Sequence, residues 1–237
     1  MFRIKDKVLS IPFPDTCIVC GEPVESTEYA CFKCKSKIPY LSTTFKCRTC
    51  LSFLAGSQND ICGNCLIEKP QYSRLVSCVE YEGYVKKTLR AYKFWNRPDY
   101  HIGFSKLACE TIEREDVYFD CVIPIPLSKK SYKKRGYNQS LLIAKRIADS
   151  FEVPCFSDLL IKTKETKRQS ELKLDDRKKN IKDAFSVCRP ERLYGLHILL
   201  VDDIFTSGST MCEAAKVLSP YADNITAFTI ARAKFKY

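Results

Sequence analysis

The chain has 237 residues, of which 45% are hydrophobic and 28% charged, as is usual for a globular protein. No apolar run approaches the roughly 20 residues needed to cross a bilayer. The first 17 residues have neither an uninterrupted apolar stretch nor a small-residue cleavage site. We therefore expect no membrane insertion, no secretion signal and a cytoplasmic location.

Fourteen cysteines are spread unevenly, because eight of them form four Cys-x-x-Cys pairs before residue 66. The pairs are Cys17/Cys20, Cys31/Cys34, Cys47/Cys50 and Cys62/Cys65. In a chain that is expected to lack a secretion signal, Cys-x-x-Cys pairs indicate metal ligation rather than disulfide bonds. Two such pairs complete the tetrahedral four-thiolate shell of a structural zinc ion. The eight cysteines therefore predict two zinc ions.

The spacing leaves the partition of these cysteines open. We expect sequential pairing, but a cross-braced scheme that joins Cys17/Cys20 to Cys47/Cys50 uses the same ligands. Thiolates favour zinc, although spacing alone also allows iron. Few apolar residues lie between the pairs, so metal binding should supply most of the folding free energy here. We predict a double zinc-ribbon domain over residues 1–70.

After residue 70, short apolar strands alternate with amphipathic helices. The predicted strands are 75–81, 121–126, 197–201 and 225–230, and the predicted helices are 85–95, 101–114, 141–151 and 211–218. Alternation of this kind predicts a parallel sheet covered by helices on both faces. Residues 71–237 are therefore expected to form a second, α/β domain.

The most informative stretch, residues 198–210, reads ILLVDDIFTSGST. An apolar strand ends in Asp202 and Asp203, and a turn around Gly208 then opens a helix. Backbone amides of the turn, the positive end of the helix dipole and small hydroxyl groups would together bind a phosphate there. These hydroxyl residues are Thr206, Ser207, Ser209 and Thr210. A helix N-cap or an acidic metal pocket is the alternative, but neither needs the hydroxyl-rich turn.

Positive charge is concentrated in residues 128–182, which hold 16 basic and 7 acidic side chains in a chain of net charge +11. This segment follows a strand end that two prolines stiffen, VIPIPLS at 122–128. Ser128 there is followed by Lys129, Lys130, Lys133, Lys134 and Arg135. Such a loop is suited to neutralising a highly charged phosphate group.

Residues 201–210 resemble the signature with which type I phosphoribosyltransferases bind phosphoribosyl pyrophosphate (PRPP). With zinc ribbons in front and Arg135-Gly-Tyr-Asn-Gln139 after the proline loop, the chain resembles the ComF family of natural-competence proteins, ComFC type. Further matching residues are Arg168-Gln169, Leu172, Arg177, Asn180 and Ala184-Phe185. The adjacent Arg168-Gln169 and the serine at 207 depart from the usual pattern. The implied fold is a type I phosphoribosyltransferase-like parallel sheet with flanking helices.

The resemblance implies that Asp202 and Asp203 accept hydrogen bonds from the ribose hydroxyls, with Asp203 as general base. Residues 206–210 would hold the 5-phosphate. Ser128, Lys129 and Arg135 would bind the pyrophosphate with its Mg²⁺. Residues 162–180 resemble the mobile loop that closes over PRPP and excludes water, although a solvated surface helix is the alternative.

The resemblance also implies handling of single-stranded DNA, with a competence helicase or DNA-processing proteins as partners. We assign DNA contacts to Lys130, Lys133, Lys134, Arg168 and Arg177. Residues 86–97 are a second basic and aromatic stretch, for which an ordinary amphipathic helix is the stronger interpretation. The acceptor of the phosphoribosyl group cannot be read from the sequence. A non-catalytic sensor of PRPP or phosphate, or a DNA-binding scaffold without transfer, is therefore the alternative function.

Overall fold

The computed structural model describes residues 15–54, 60–166 and 179–234. Its central sheet has four parallel strands in the order β1-β6-β5-β2, and β3 and β4 form a separate antiparallel pair. The strands are β1 Arg74–Glu80, β2 Cys121–Pro124, β3 Leu160–Lys162, β4 Phe185–Val187, β5 His197–Phe205 and β6 Asn224–Arg232. The predicted parallel sheet is confirmed.

Helices cover both faces of this sheet. They are α1 Phe32–Lys35, α2 Gly63–Ile67, α3 Gly83–Phe94, α4 Tyr100–Arg114, α5 Lys129–Arg135, α6 Gln139–Ser150 and α7 Ser209–Leu218, with a 3-10 turn at Pro190–Arg192. Within the described ranges, every helix is too short or too polar to cross a membrane. The predicted domain boundary at residue 70 falls between α2 and β1 and stays a prediction.

β5 differs from its prediction in length. The sequence predicted its end at Val201, but the strand continues to Phe205 because β6 keeps pairing with it, Asp202 opposite Thr229 and Phe205 opposite Arg232. The two acidic residues therefore lie inside a strand rather than beyond its end.

Each zinc ribbon packs on a different face of the sheet. The first ribbon, residues 15–38, shares a hydrophobic core with α3, α4 and α6. The second ribbon, residues 45–54 and 60–67, shares the opposite core with α7 and the β3/β4 pair. Burial of each ribbon against the sheet compensates for the few apolar residues that the ribbons contain.

Both edges of the sheet are covered by irregular chain. At the β1 edge, Tyr40 forms an antiparallel bridge with Val79, and the Leu41 amide donates to the Cys78 carbonyl at 3.0 Å. At the β2 edge, the Val122 amide donates to the Pro154 carbonyl at 3.0 Å. The linker between the two ribbons therefore satisfies backbone groups that an open edge would leave to water.

Candidate functional site

The eight paired cysteines form two compact groups, in each of which the Sγ atoms all lie within 4.8 Å of one another. The first group is Cys17, Cys20, Cys31 and Cys34, and the second is Cys47, Cys50, Cys62 and Cys65. Sulfur separations of 4.0 Å for Cys20 to Cys31 and 3.6 Å for Cys50 to Cys62 bracket the roughly 3.8 Å expected around tetrahedral zinc. Sequential pairing is confirmed, and both groups fit a structural zinc ion.

One thiol in each group has a lowered pKa. Burial alone would raise the pKa of the Cys17 thiol, but backbone hydrogen bonds, chiefly from Cys20, lower it to about 7. In the second group, a hydrogen bond from Cys65 is the main cause that lowers the pKa of the Cys50 thiol to about 4, against the effect of burial. Burial is the main cause that raises the pKa of Cys34 to about 12 and also raises the pKa of Cys20 and Cys62, so without metal each group contains both lowered and raised thiols.

Asp202 and Asp203 are held by partners from different helices. Lys93 on α3 forms an ion pair with Asp203, Nζ to Oδ1 2.8 Å, and the Asp203 side chain is only 6% exposed. The Ser140 hydroxyl on α6 donates to Asp202 Oδ1 at 2.9 Å. The acidic strand end is thus fixed by one cation and one hydroxyl.

The environment of Asp202 raises its proton affinity. Burial is the main cause that raises the pKa of Asp202 to about 6, and the charge of Asp203 adds to it, while Lys93 and Ser140 oppose it. Asp203, the predicted general base, is engaged by Lys93 instead. A pKa of about 6 suits a base that works close to neutral pH, so Asp202 is a candidate for that role.

The turn after β5, residues 206–210 and called the cradle below, combines a required glycine with several hydroxyl groups. Gly208 has a φ of +78°, and a Cβ there would lie 2.6 Å from the Phe205 ring, so this position requires glycine. Next to it, the Ser207 and Ser209 hydroxyl oxygens lie 2.9 Å apart at the start of α7. The half-exposed hydroxyl residues are Thr206, Ser207 and Thr210. Asp202, Thr206, Gly208 and Thr210 line one small cavity, which brings acid and turn together.

The proline loop leaves the same edge of the sheet, since β2 pairs with β5 in parallel and Pro124 lies opposite Val201. Asn138 connects this loop to α6: its amide Nδ2 donates to the Ile125 carbonyl at 3.0 Å, and its Oδ1 accepts from the Ser140 amide at 3.1 Å. The Arg-Gly-Tyr-Asn-Gln motif therefore orients the serine that binds the acidic strand.

The basic residues after the proline loop form α5, a helix that the sequence did not predict. Ser128 caps it by accepting from the Ser131 amide at 3.3 Å, and Gly136 ends it with a φ of +80°. Arg135 donates to Gln139 Oε1 at 3.0 Å and lies 5.3 Å from the Phe94 ring centroid. The exposed residues of α5 include Lys129, Lys130, Lys133 and Lys134.

Two predicted DNA contacts, Arg168 and Arg177, lie outside the described residues, as does most of the predicted mobile loop. Its first residues are described and contact α5. Glu165 Oε1 accepts from the Lys130 amide at 3.0 Å, and this backbone hydrogen bond is the main cause that lowers the pKa of Glu165. A carboxylate thus lies at the loop where pyrophosphate is expected.

Sequence reasoning missed two lysines beside the acidic pair. Lys93 was read only as part of a basic amphipathic helix. Lys162, at the end of β3, is half-buried, which lowers its pKa, while the charges of Asp202 and Glu165 oppose that shift. Both lysines are far from Asp202 and Asp203 in sequence, so local patterns carried no signal for either.

A cleft of about 1170 Å³ separates the second ribbon from α7. It reaches the cradle at Ser207 and Ser209, and its other walls include Ser52, Lys69, Lys182 and Lys216. The second ribbon is therefore a neighbour of the cradle.

Residues 8–66 match the Double zinc ribbon domain family, and residues 138–226 match the Phosphoribosyl transferase domain family. Competence protein F of Haemophilus influenzae is 27% identical over 224 residues, 92% of this chain and 90% of that protein. DNA utilization protein YhgH of Salmonella typhimurium is 30% identical over 162 residues, 66% of this chain and 70% of that protein. This chain belongs to the ComF family. Another ComF relative, competence protein ComFC of Bacillus subtilis, is 27% identical over 218 residues, 86% of this chain and 85% of that protein.

ComF membership confirms the predicted architecture of a double zinc ribbon followed by a phosphoribosyltransferase-like domain. It also places the chain among competence and DNA-utilization proteins. The matched transferase region contains the acidic strand end, the cradle and α6. The residues singled out by their geometry therefore lie in the part of the chain that carries the transferase resemblance.

Proposed function

We propose that this ComF protein binds PRPP with Mg²⁺ at the carboxyl edge of β2 and β5, and binds single-stranded DNA in the cytoplasm during natural transformation. The observation that carries the PRPP proposal is the fixed acidic pair beside a hydroxyl-rich turn at the start of α7. A sugar phosphate needs acceptors for its ribose hydroxyls and donors for its phosphate, and these two features supply both.

In this proposal, Asp202 and Asp203 accept hydrogen bonds from the ribose hydroxyls, and residues 206–210 bind the 5-phosphate. Ser128, Lys129 and Arg135 bind the pyrophosphate. Mg²⁺ bound to pyrophosphate oxygens would neutralise part of their charge. The Glu165 carboxylate would have to leave the α5 amide, because its charge would repel the incoming pyrophosphate.

Phosphoribosyl transfer would break the bond from ribose C1 to the pyrophosphate oxygen and form one from C1 to an acceptor nucleophile. Pyrophosphate would leave with both bonding electrons, and the proton of the nucleophile would pass to a base. The Lys93 ion pair leaves Asp203 poorly placed for that last task. This pairing favours, as the second candidate, a sensor that binds PRPP without turnover.

Calorimetry with PRPP and Mg²⁺ tests the site. We expect the double variant Asp202→Asn/Asp203→Asn to abolish the binding heat, because both ribose acceptors lose their charge. Asp223→Asn, at the amino end of β6, should bind as the unmodified protein does and controls for lost charge. Unchanged binding by the double variant would contradict the assignment. Release of labelled pyrophosphate with candidate acceptors then distinguishes a transferase from a sensor.

The DNA proposal is supported by three of the exposed lysines on α5, Lys130, Lys133 and Lys134, and by the +9 charge of residues 128–182. Competence helicases and DNA-processing proteins are the proposed partners. Changing Lys130, Lys133 and Lys134 to Gln should lower the slope of log affinity against log salt by about 2, since each phosphate contact with a single strand contributes about 0.7. Lys33→Gln/Lys37→Gln on the first ribbon is the control. An unchanged slope in the triple variant would rule out α5 as the contact.

A further inference from the structure

The last residue of β6 places a guanidinium group beside the second zinc ribbon. Arg232 is 4% exposed; its Nε donates to the Cys50 carbonyl at 2.7 Å and its Nη2 to the Ser52 hydroxyl at 2.9 Å. A buried charge is costly unless negative charge and hydrogen-bond acceptors compensate it. Both contacts lie within two residues of one metal ligand.

Ser52 also contacts the sulfur of that ligand, since Cys50 Sγ lies 3.1 Å from Ser52 Oγ. With metal bound, the sulfur is a thiolate and can only accept a hydrogen bond. The Ser52 hydroxyl would then donate to the sulfur while it accepts from the guanidinium. Four thiolates around Zn²⁺ carry a net charge of about −2, so this arrangement places a cation one hydroxyl group away from an anionic centre.

The same arginine contacts the strand that carries the phosphate turn. Arg232 lies opposite Phe205 in the β5/β6 pairing, and the next amide, that of Ala233, donates to the Phe205 carbonyl at 2.8 Å. The Phe205 ring lies against Gly208 in the turn. Direct contacts therefore run from the second metal site, through the end of β6, to the cradle.

We propose that Arg232 is a positioning residue of the second zinc site, that it acts through Ser52, and that zinc there stabilises the phosphate turn through the end of β6. Residues that bind metal ligands orient them and tune metal affinity. The first ribbon is anchored differently: Lys106 on α4 binds the Asp15 carboxylate at 2.6 Å and the Glu28 carbonyl at 3.2 Å, and neither residue is a ligand.

The test measures each zinc site separately in the full-length, zinc-loaded protein. A chelator is added with an alkylating reagent, and mass spectrometry follows the modification of the cysteines of each group. We expect Arg232→Met to speed alkylation of the second group by about 10- to 100-fold and to leave the first group unchanged. Arg232→Lys should also release the second zinc faster, because a single ammonium group does not reproduce the guanidinium fork. Lys106→Met is the matched control and should leave the second group unchanged.

Ser52→Ala keeps the proposal testable if Arg232→Met fails to fold. It removes one hydroxyl group and should speed alkylation of the second group alone, by several-fold. Unchanged rates in both variants would overturn the role of Arg232, as would equal acceleration of the two groups in Ser52→Ala. Hydrogen exchange tests the second half of the proposal: amides 206–210 should exchange faster in zinc-loaded Arg232→Lys, and unchanged protection would overturn the coupling. Neither readout requires PRPP to bind.

Discussion

The two zinc ribbons have nearly the same cysteine spacing, with ten residues between the pairs of the first and eleven between those of the second, but different surroundings. The first packs on the α3/α4/α6 face, where the Ile18 side chain lies against Gly103 on α4. The second packs on the α7 face, with the Lys46 to Glu80 ion pair and the Arg232 contacts at the carboxyl ends of β1 and β6. The first ribbon thus packs against a helix, whereas the second ribbon borders the candidate site.

The largest effect should come from removing one ligand of each ribbon. Cys50→Ser and Cys20→Ser should each lose one equivalent of zinc, because an incomplete thiolate shell binds zinc weakly. Cys50→Ser alone should accelerate hydrogen exchange of amides 206–210, by more than about tenfold, a loss of roughly 1.4 kcal/mol in local opening. As a control, metal analysis should show that both variants have lost the same amount of zinc. Equal acceleration by the two variants would show that the ribbons do not differ in this respect.

A second difference, of opposite sign at the two sites, should follow from neutralising Asp202 in the candidate site and Asp15 at the first ribbon. The folded-state pKa of Asp202 is raised from 3.8 to about 6, so the folded protein binds its proton more tightly and loses stability as the pH rises through that range. Asp202→Asn should therefore be more stable at pH 8, by about 3 kcal/mol, and the gain should shrink as the pH falls through 6. Urea unfolding at several pH values measures this.

Asp15→Asn is the counterpart at the first ribbon. It removes the carboxylate that binds Lys106 and should cost about 1 kcal/mol at pH 8, as expected for a partly exposed ion pair. The predicted difference in sign would be contradicted if Asp15→Asn stabilised the protein, or if Asp202→Asn destabilised it at pH 8.

A further difference concerns the contact of the first ribbon with α4. A Cβ at Gly103 would lie 2.5 Å from Ile18 Cγ2, and Ile18 is fully buried, so Gly103→Ala should cost about 2 kcal/mol by overpacking. Differential alkylation should show faster zinc release from the first ribbon alone. Gly63→Ala on α2 is the control, since a Cβ there meets nothing within 4 Å. A stability loss equal to that of the control would argue against tight packing at Gly103.

The sequence predicted the central strands and the longer helices, because their apolar periodicity is set locally. The sequence also predicted that Asp202 and the turn around Gly208 belong to one site, because they are neighbours in the chain. It missed α5, whose seven residues are mostly lysine and show no apolar periodicity. It also placed the end of β5 four residues early, because the pairing that extends this strand comes from β6.

Contacts between distant segments were beyond sequence reasoning. Lys93 and Asp203 are separated by more than 100 residues, and Arg232 and Cys50 by 182. Such pairs form only when the sheet order and the docking of the ribbons are fixed, and neither leaves a local pattern. Charge counts could show that basic residues were abundant, but not which of them would be buried beside a carboxylate or a metal ligand.

The chain between the two ribbons has a consequence for how the protein can be divided. Residues 39–41 occupy the outer edge of β1, so a fragment that begins at residue 71 would present that strand with its amides and carbonyls unpaired. Uncovered strands of this kind promote association between copies. The transferase half produced alone should therefore tend to self-associate and precipitate, and its apparent molar mass from light scattering should rise with protein concentration.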